Sequence, residues 1–296
     1  MSMPISDVLS ELSTALNPVA FAESLGITPD AWQKDVLLSS GIGNKRHVQV
    51  LASRQSGKSL TCALYGLWYA LNNPHSLVLV LSPSLRQSSL LFKTILEMYK
   101  ELGRPVPSNI ESALTLQLAN KSKIVSLPAL EKTIRGYSGV DLLILDEAAL
   151  VDDELYYSVR PMIAVSNGRI FAIGTPHGRR GWFYRSWIES EEYYKIKITA
   201  DQCPRISKEW LMHERKALGD YWFLQEYFCE FHENIKSLFR MESIEAAIQD
   251  FDELEFDLDL DSEDLEAYEE PLIFDTDEAE EIEGLENINL GFDKGD

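Results

Sequence analysis

Val48 to Ala52 is a short apolar run that passes without a break into Ser53-Arg54-Gln55-Ser56-Gly57-Lys58-Ser59. A helical pattern of apolar residues follows from Ser59 to about Leu71 and is stopped by Asn72-Asn73-Pro74. A strand, a loop of small residues and a helix in that order leave free backbone N–H groups at the helix N-terminus, where they attract an anion. Such a loop binds phosphate when its residues are small or flexible enough to turn the N–H groups inward. It also needs a Lys to reach the β- and γ-phosphates and a hydroxyl for Mg²⁺. Lys58 and Ser59 supply those two groups, and Ser53, Arg54, Gln55, Ser56 and Gly57 form the loop. Ala52 stands where the G-x-x-x-x-G-K-[ST] pattern has its first Gly, so the match is incomplete at one position.

The rest of the chain supplies a sheet for this motif. Leu77 to Leu81 is a continuous apolar run ended by Ser82-Pro83, which suits a strand buried on both faces. Val140–Leu145 and Arg169–Ile173 are further buried strands, Leu85–Leu102 is a helix, and Leu114–Leu118 with Ile124–Leu127 reads as a hairpin. Apolar strands alternating with helices predict an α/β fold with a doubly wound, mostly parallel central sheet. Residues 207–228 return to helix and are rich in aromatics, among them Trp210, Tyr221, Trp222, Phe223, Tyr227 and Phe228. This predicts a small C-terminal helical subdomain packed against the sheet.

Two more motifs fall at strand ends. Leu142-Leu143-Ile144-Leu145-Asp146-Glu147 delivers two consecutive carboxylates to the C-terminal end of an apolar strand, where α/β folds place their ligands. Asp146 would hold Mg²⁺ with Ser59, and Glu147 would orient or deprotonate the water that attacks a γ-phosphate. Ile173-Gly174-Thr175-Pro176 ends another such strand, and Thr175 is placed to sense the γ-phosphate and couple it to the rest of the chain. Gln33, after Trp32, has an amide suited to an adenine edge, or is an ordinary surface Gln. Arg135, flanked by Gly136 just before the Asp146 strand, is either solvated or an arginine finger acting on a neighbouring subunit. Arg169, Arg179, Arg180 and Arg185 around the third motif, and Lys121 and Lys123 in the hairpin, are candidate DNA-phosphate contacts or solvated faces.

Charge decides whether a nucleic-acid partner is compatible with a net charge of −21. From residue 242 to the end stand 23 of the 48 acidic residues and one of the 27 basic ones, leaving 26 basic against 25 acidic in residues 1–241. A near-neutral body can carry a local basic path, so the acidity of the tail does not exclude DNA. No apolar run is long enough to span a bilayer, and Met1-Ser2-Met3-Pro4 opens no secretory signal. Cys62, Cys203 and Cys229 lack metal-ligand or disulfide spacing, which fits a reducing compartment such as a host cytoplasm.

Taken in order, these motifs resemble a known family. Trp32-Gln33, then residues 53–59 with Arg54 in the loop, then Ile134-Arg135-Gly136-Tyr137-Ser138-Gly139 leading to Asp146-Glu147-Ala148, then Gly174-Thr175-Pro176 running into Phe183-Tyr184 and Trp187, resemble the large subunit of phage terminases over roughly residues 28–245. The resemblance implies an additional-strand P-loop NTPase, an ATPase that translocates double-stranded DNA into a procapsid. It implies a homo-oligomeric ring when assembled (a monomer in isolation is compatible), docked on the portal protein and helped by a small terminase subunit, with no membrane partner.

By the same resemblance Gln33 would bind adenine, and residues 53–59, with Arg54 and Lys58 foremost, the phosphates of ATP. Asp146 and Ser59 would bind Mg²⁺, Glu147 and Lys58 would be catalytic, Thr175 would couple, and Arg135 would act in trans. The expected division is a lead-in with the adenine-binding region at 1–45, the ATPase core at 46–200, a helical or lid subdomain at 201–245 and an acidic linker at 246–287. Residues 288–296 resemble the first strand of a ribonuclease-H-type nuclease, with Asp293 at its first metal-ligand position. One carboxylate strand does not make a two-metal site, so no nuclease activity is expected of these residues. Two alternatives share parts of the pattern: a superfamily-2-like helicase or DNA-remodelling ATPase, and a nucleotide-gated assembly protein without turnover.

Overall fold

The computed structural model describes residues 5–41, 45–134 and 136–233. The chain opens with three helices, α1 (Ile5–Leu16), α2 (Pro18–Ser24) and α3 (Ala31–Gly41), before β1 (His47–Ala52). Then come α4 (Lys58–Asn72), β2 (Leu77–Ser82), α5 (Leu85–Glu101), β3 (Ser108–Glu111), β4 (Thr115–Leu118), β5 (Lys123–Pro128) and α6 (Glu131–Ile134). β6 (Leu142–Asp146), α7 (Asp153–Val159), β7 (Arg169–Gly174), α8 (Gly181–Glu189), β8 (Tyr194–Ile198) and α9 (Lys208–Phe228) complete the described part.

The strands form one sheet in the order β3-β4-β5-β2-β6-β7-β1-β8. From β5 to β8 every pairing is parallel, while β3–β4 and β4–β5 are antiparallel. The expected α/β class and mostly parallel sheet are therefore what the chain forms. β7 lies between β1, which feeds the glycine-containing loop, and β6, which ends in Asp146; this is the additional-strand order. It brings the C-terminal ends of β1, β7 and β6 side by side at one edge, the position at which open α/β sheets bind ligands.

Alternation along the strands builds two cores. Val48, Val50, Val78, Val80, Ile144, Phe171 and Ile173 face α4 and α5, whose Leu64, Tyr65, Leu67, Phe92 and Ile95 are buried against them. Leu51, Leu79, Leu81, Leu143, Leu145 and Ala172 face the other way, onto Leu155, Tyr156, Trp182 and Phe183 of α7 and α8. Trp182 lies flat on Tyr156, ring centroids 3.8 Å apart, and its indole donates to Val151 O at 2.9 Å. The hairpin pairs Thr115 with Val125 and Leu116 with Ile124, as expected, and β3 adds a strand at its outer edge.

Helix ends follow local chemistry. Asn17 and Ser84 cap α2 and α5, and Ser207 caps α9 by accepting from Trp210 N. The stretch 207–228, read from sequence as one helix, is kinked at Gly219 (φ 73°, ψ 165°), where glycine tolerates a conformation that a helix interior otherwise excludes. Leu211, Phe223 and Tyr227 form a small apolar cluster of their own with Ala200. Among the described residues no helix is long and apolar enough to cross a membrane. The expected acidic linker at 246–287 and the strand carrying Asp293 lie outside the described residues.

Gly168 sets the approach of β7 to β6. A Cβ there would lie 2.2 Å from Val140 O and 3.1 Å from Asp141 O. Gly168→Ala is expected to destabilise the fold by about 1–3 kcal/mol, the usual cost of overpacking against backbone. Denaturant unfolding measures this, and an unchanged midpoint would show that the two segments separate freely.

Candidate active site

The loop after β1 is held from β8 and from α9. Ser53 N donates to Ile198 O at the end of β8, and Arg54 N donates to Glu226 O of α9, both at 3.0 Å. Inside the loop, Ser56 Oγ donates to Ser53 O at 2.7 Å. Gln55 (φ 62°) and Gly57 (φ 97°) adopt left-handed backbone, and a Cβ on Gly57 would also sit 3.1 Å from Gln33 Nε2. Glycine is required there by both backbone and space.

Lys58, the first residue of α4, is almost fully buried. Its Nζ donates to Thr175 Oγ1 at 2.9 Å and to Ser53 O at 3.3 Å, and lies 3.5 Å from Glu147 Oε1. The Thr175 hydroxyl in turn donates to Ala52 O at 2.9 Å. Three separate sequence motifs therefore converge on one ammonium group.

β6 ends in Asp146, which is buried, and its Oδ2 accepts from Ser59 Oγ at 3.3 Å. Its Oδ1 has no hydrogen-bond partner among the described residues. Burial, helped by the adjacent Glu147 carboxylate and opposed by Lys58 and Ser59, pushes the Asp146 carboxyl up to about 6. A buried, unpartnered carboxylate oxygen beside a hydroxyl is a hard oxygen donor set suited to Mg²⁺.

Glu147 follows in the left-handed region (φ 51°), which a non-glycine residue enters at some cost, and a 3-10 turn at Ala148–Leu150 begins there. Its side chain is 28% exposed, so the carboxylate faces both Lys58 and solvent. Gly174 permits this turn to rest on the end of β7: a Cβ there would lie 3.0 Å from Ala148 N and 3.1 Å from Ala149 N.

The family described as "Terminase large subunit, T4likevirus-type, N-terminal" matches residues 50–287. The chain belongs to the terminase large-subunit family. The terminase large subunit of Thermus phage G20c is 25% identical over 259 residues, covering 74% of this chain and 52% of that protein, so the chain spans about half the length of this relative. The fold is shared with the ATPase domain of the Thermus phage P74-26 large terminase (TM-score 0.62, 22% identity, 71% of this chain and 97% of that one). It is shared too with the large terminase of a thermophilic bacteriophage in complex with ATP-γ-S (TM-score 0.55, 14% identity, 69% of this chain and 53% of that one).

Within this terminase chain, Lys58, Ser59, Asp146, Glu147 and Thr175 meet as one cluster. Arg54 does not face them: its guanidinium pairs with Glu226 of α9. Gln33 is buried rather than a surface residue, with Oε1 accepting from Asp30 N at 2.9 Å and Nε2 donating to Thr61 Oγ1 at 2.9 Å. Arg135 and Asp293 lie outside the described residues.

Of the basic residues grouped around the third motif, Arg169 stands apart. Arg169 stands at the opposite end of β7 from Gly174 and donates to Ser40 O, while Arg185 is paired with Asp153. Arg179 donates to Phe231 O at 3.1 Å, and Arg180 precedes α8 as its N-cap. Lys121 sits in the β4–β5 turn (φ 68°) and Lys123 opens β5. Sequence reasoning missed Arg205, Asp30, Thr61 and Glu226, all of which touch the loop or its partners. Asp30, as a helix-start Asp after Pro29, carried a local signal; Arg205 carried none.

Proposed function

We propose that this terminase chain carries the ATP-hydrolysing motor that drives double-stranded viral DNA into a procapsid in the host cytoplasm, working as a homo-oligomeric ring on the portal protein with a small terminase subunit. The observation that carries this reading is the convergence of Lys58, Thr175 and Glu147 beside the Ser59–Asp146 pair, from the ends of three adjacent strands. A domain that only bound nucleotide would have no use for Glu147, held in strained backbone with its carboxylate open to water.

In this reading the loop N–H groups of residues 55–59 and the Lys58 ammonium bind the β- and γ-phosphates. Ser59 and Asp146 hold Mg²⁺, which when bound neutralises phosphate charge. Glu147 orients the attacking water and takes its proton. Lys58 must leave Thr175 to reach a phosphate, so the Thr175 hydroxyl registers whether the γ-position is filled. Arg54 engages a phosphate only by releasing Glu226, which ties the loop to α9. Arg135 acts on the neighbouring subunit's nucleotide.

The test is steady-state ATP turnover with duplex DNA, single-stranded DNA or none, alongside strand separation on a forked duplex. Turnover that rises with duplex DNA without strand separation is expected. Unwinding of the fork would instead favour the helicase reading, and no turnover under any condition would leave only a nucleotide-gated assembly role.

A further inference from the structure

Nucleotide-binding loops depend on which way each peptide plane faces. In a trans peptide the C=O and the following N–H point in opposite directions, so a carbonyl fixed on the outside of the loop aims the next N–H inward. Two consecutive peptides here have their carbonyls each engaged by a side chain from a distant part of the chain, Arg205 for one and Gln33 for the other. Arg205 Nη2 donates to Ser56 O at 2.9 Å. Gly57 O receives Thr61 N at 3.2 Å and Thr61 Oγ1 at 3.1 Å from within α4, and Gln33 Nε2 at 3.4 Å from α3. The N–H groups governed by these planes belong to Gly57 and Lys58, at the turn into α4.

Arg205 is itself fixed. Its guanidinium is ion-paired with Asp30: Nη1 donates to Oδ1 at 2.9 Å, and Nη2 lies 2.7 Å from Oδ2. The bond from Nη1 to Asp30 and the bond from Nη2 to Ser56 O together set the plane of the group as well as its position. Asp30 starts α3, where its N–H donates to Gln33 Oε1 and its C=O accepts from Lys34 N. Gln33 therefore has both ends of its amide engaged, the carbonyl on its own helix start and the NH₂ on α4 and the loop. An amide bound at both ends is poorly placed to read a base edge, whereas it is well placed to hold a peptide.

From these contacts we infer that Arg205, locked by Asp30, and Gln33 are positioning residues that orient the Ser56–Gly57 and Gly57–Lys58 peptides so that their N–H groups face the phosphates. The inference rests on the ATPase reading and gives Gln33 a phosphate-loop role in place of adenine recognition. It follows that these residues govern affinity for the triphosphate whatever base it carries. Arg205 reaches the loop from the segment between β8 and α9, so it also joins that segment to the loop.

The experiment measures equilibrium binding of ATP, GTP and inorganic tripolyphosphate to the full chain, with ATP turnover alongside. Arg205→Ala and Gln33→Ala are each expected to weaken all three ligands by a common factor, about 10- to 100-fold for Arg205, whose lost bond is charge-assisted. Turnover at saturating ATP should stay within about threefold, so that KM moves and kcat does not. Arg205→Lys keeps a charge for Asp30 but cannot fork onto Ser56 O as well, and should fall between the wild type and Arg205→Ala. If Arg205→Ala does not fold, the Lys variant decides alone, and unchanged tripolyphosphate affinity in it overturns the inference. A loss confined to ATP would also overturn it, by showing that these residues read the base. A wild-type chain that binds none of the three ligands would defeat the ATPase reading itself.

Discussion

Glu147→Gln is expected to leave ATP affinity within a few-fold of wild type and to lower turnover by about 10²–10⁴, the range contributed by a positioned general base or water-orienting group. The substitution is close to isosteric, so the left-handed turn at residue 147 and the 3-10 turn after it have no reason to change. What is lost is the negative charge 3.5 Å from Lys58 Nζ and the acceptor for a proton. Because Glu147 competes with phosphate for Lys58, binding should hold or tighten slightly while chemistry fails. Single-turnover phosphate release separates the two, and hydrolysis at a near-normal rate would remove Glu147 from the chemical step.

The same cluster shows why part of the site could be read from residues alone. Lys58, Ser59, Asp146, Glu147 and Thr175 each stand within a residue or two of the end of a strongly apolar strand, or at the start of the helix that follows it. Local sequence therefore places them, and the parallel order of β6, β7 and β1 brings them together. Continuous apolar runs likewise made β2, β6 and β7 legible, since strands buried on both faces show little else.

The elements that went unread are of a different kind. α7 has seven residues, too few for a helical period to show, and it is held by the stacking of Tyr156 on Trp182. β8 alternates Lys195 and Lys197 with Ile196 and Ile198, a half-buried edge pattern that two-faced apolar runs overshadow. Arg205 and Glu226 reach the loop only after the chain has passed through eight strands, and nothing local to either marks it. The contact of Gln33 with Thr61 was not legible, because Thr61 comes from a helix packed beside it.

Arg135→Ala is expected to give the largest kinetic effect of any single change in an assembled ring, about 10³–10⁵ in turnover, the contribution of an arginine finger supplied by a neighbour. Arg135 stands one residue before Gly136, close upstream of the strand that ends in Asp146. If the finger acts in trans, wild-type specific activity should rise steeply with protein concentration or on docking to a ring-shaped platform. Arg135→Ala should abolish that rise with nucleotide affinity nearly intact. Mixing is the sharper measurement. An Arg135→Ala subunit keeps Glu147, and an adjacent Glu147→Gln subunit keeps Arg135, so one interface in the mixture has both groups and turnover should partly return. Two inactive proteins that stay inactive when mixed, together with specific activity that is flat across concentration, would show that the group acts within one subunit or not at all, and the ring would lose its kinetic support.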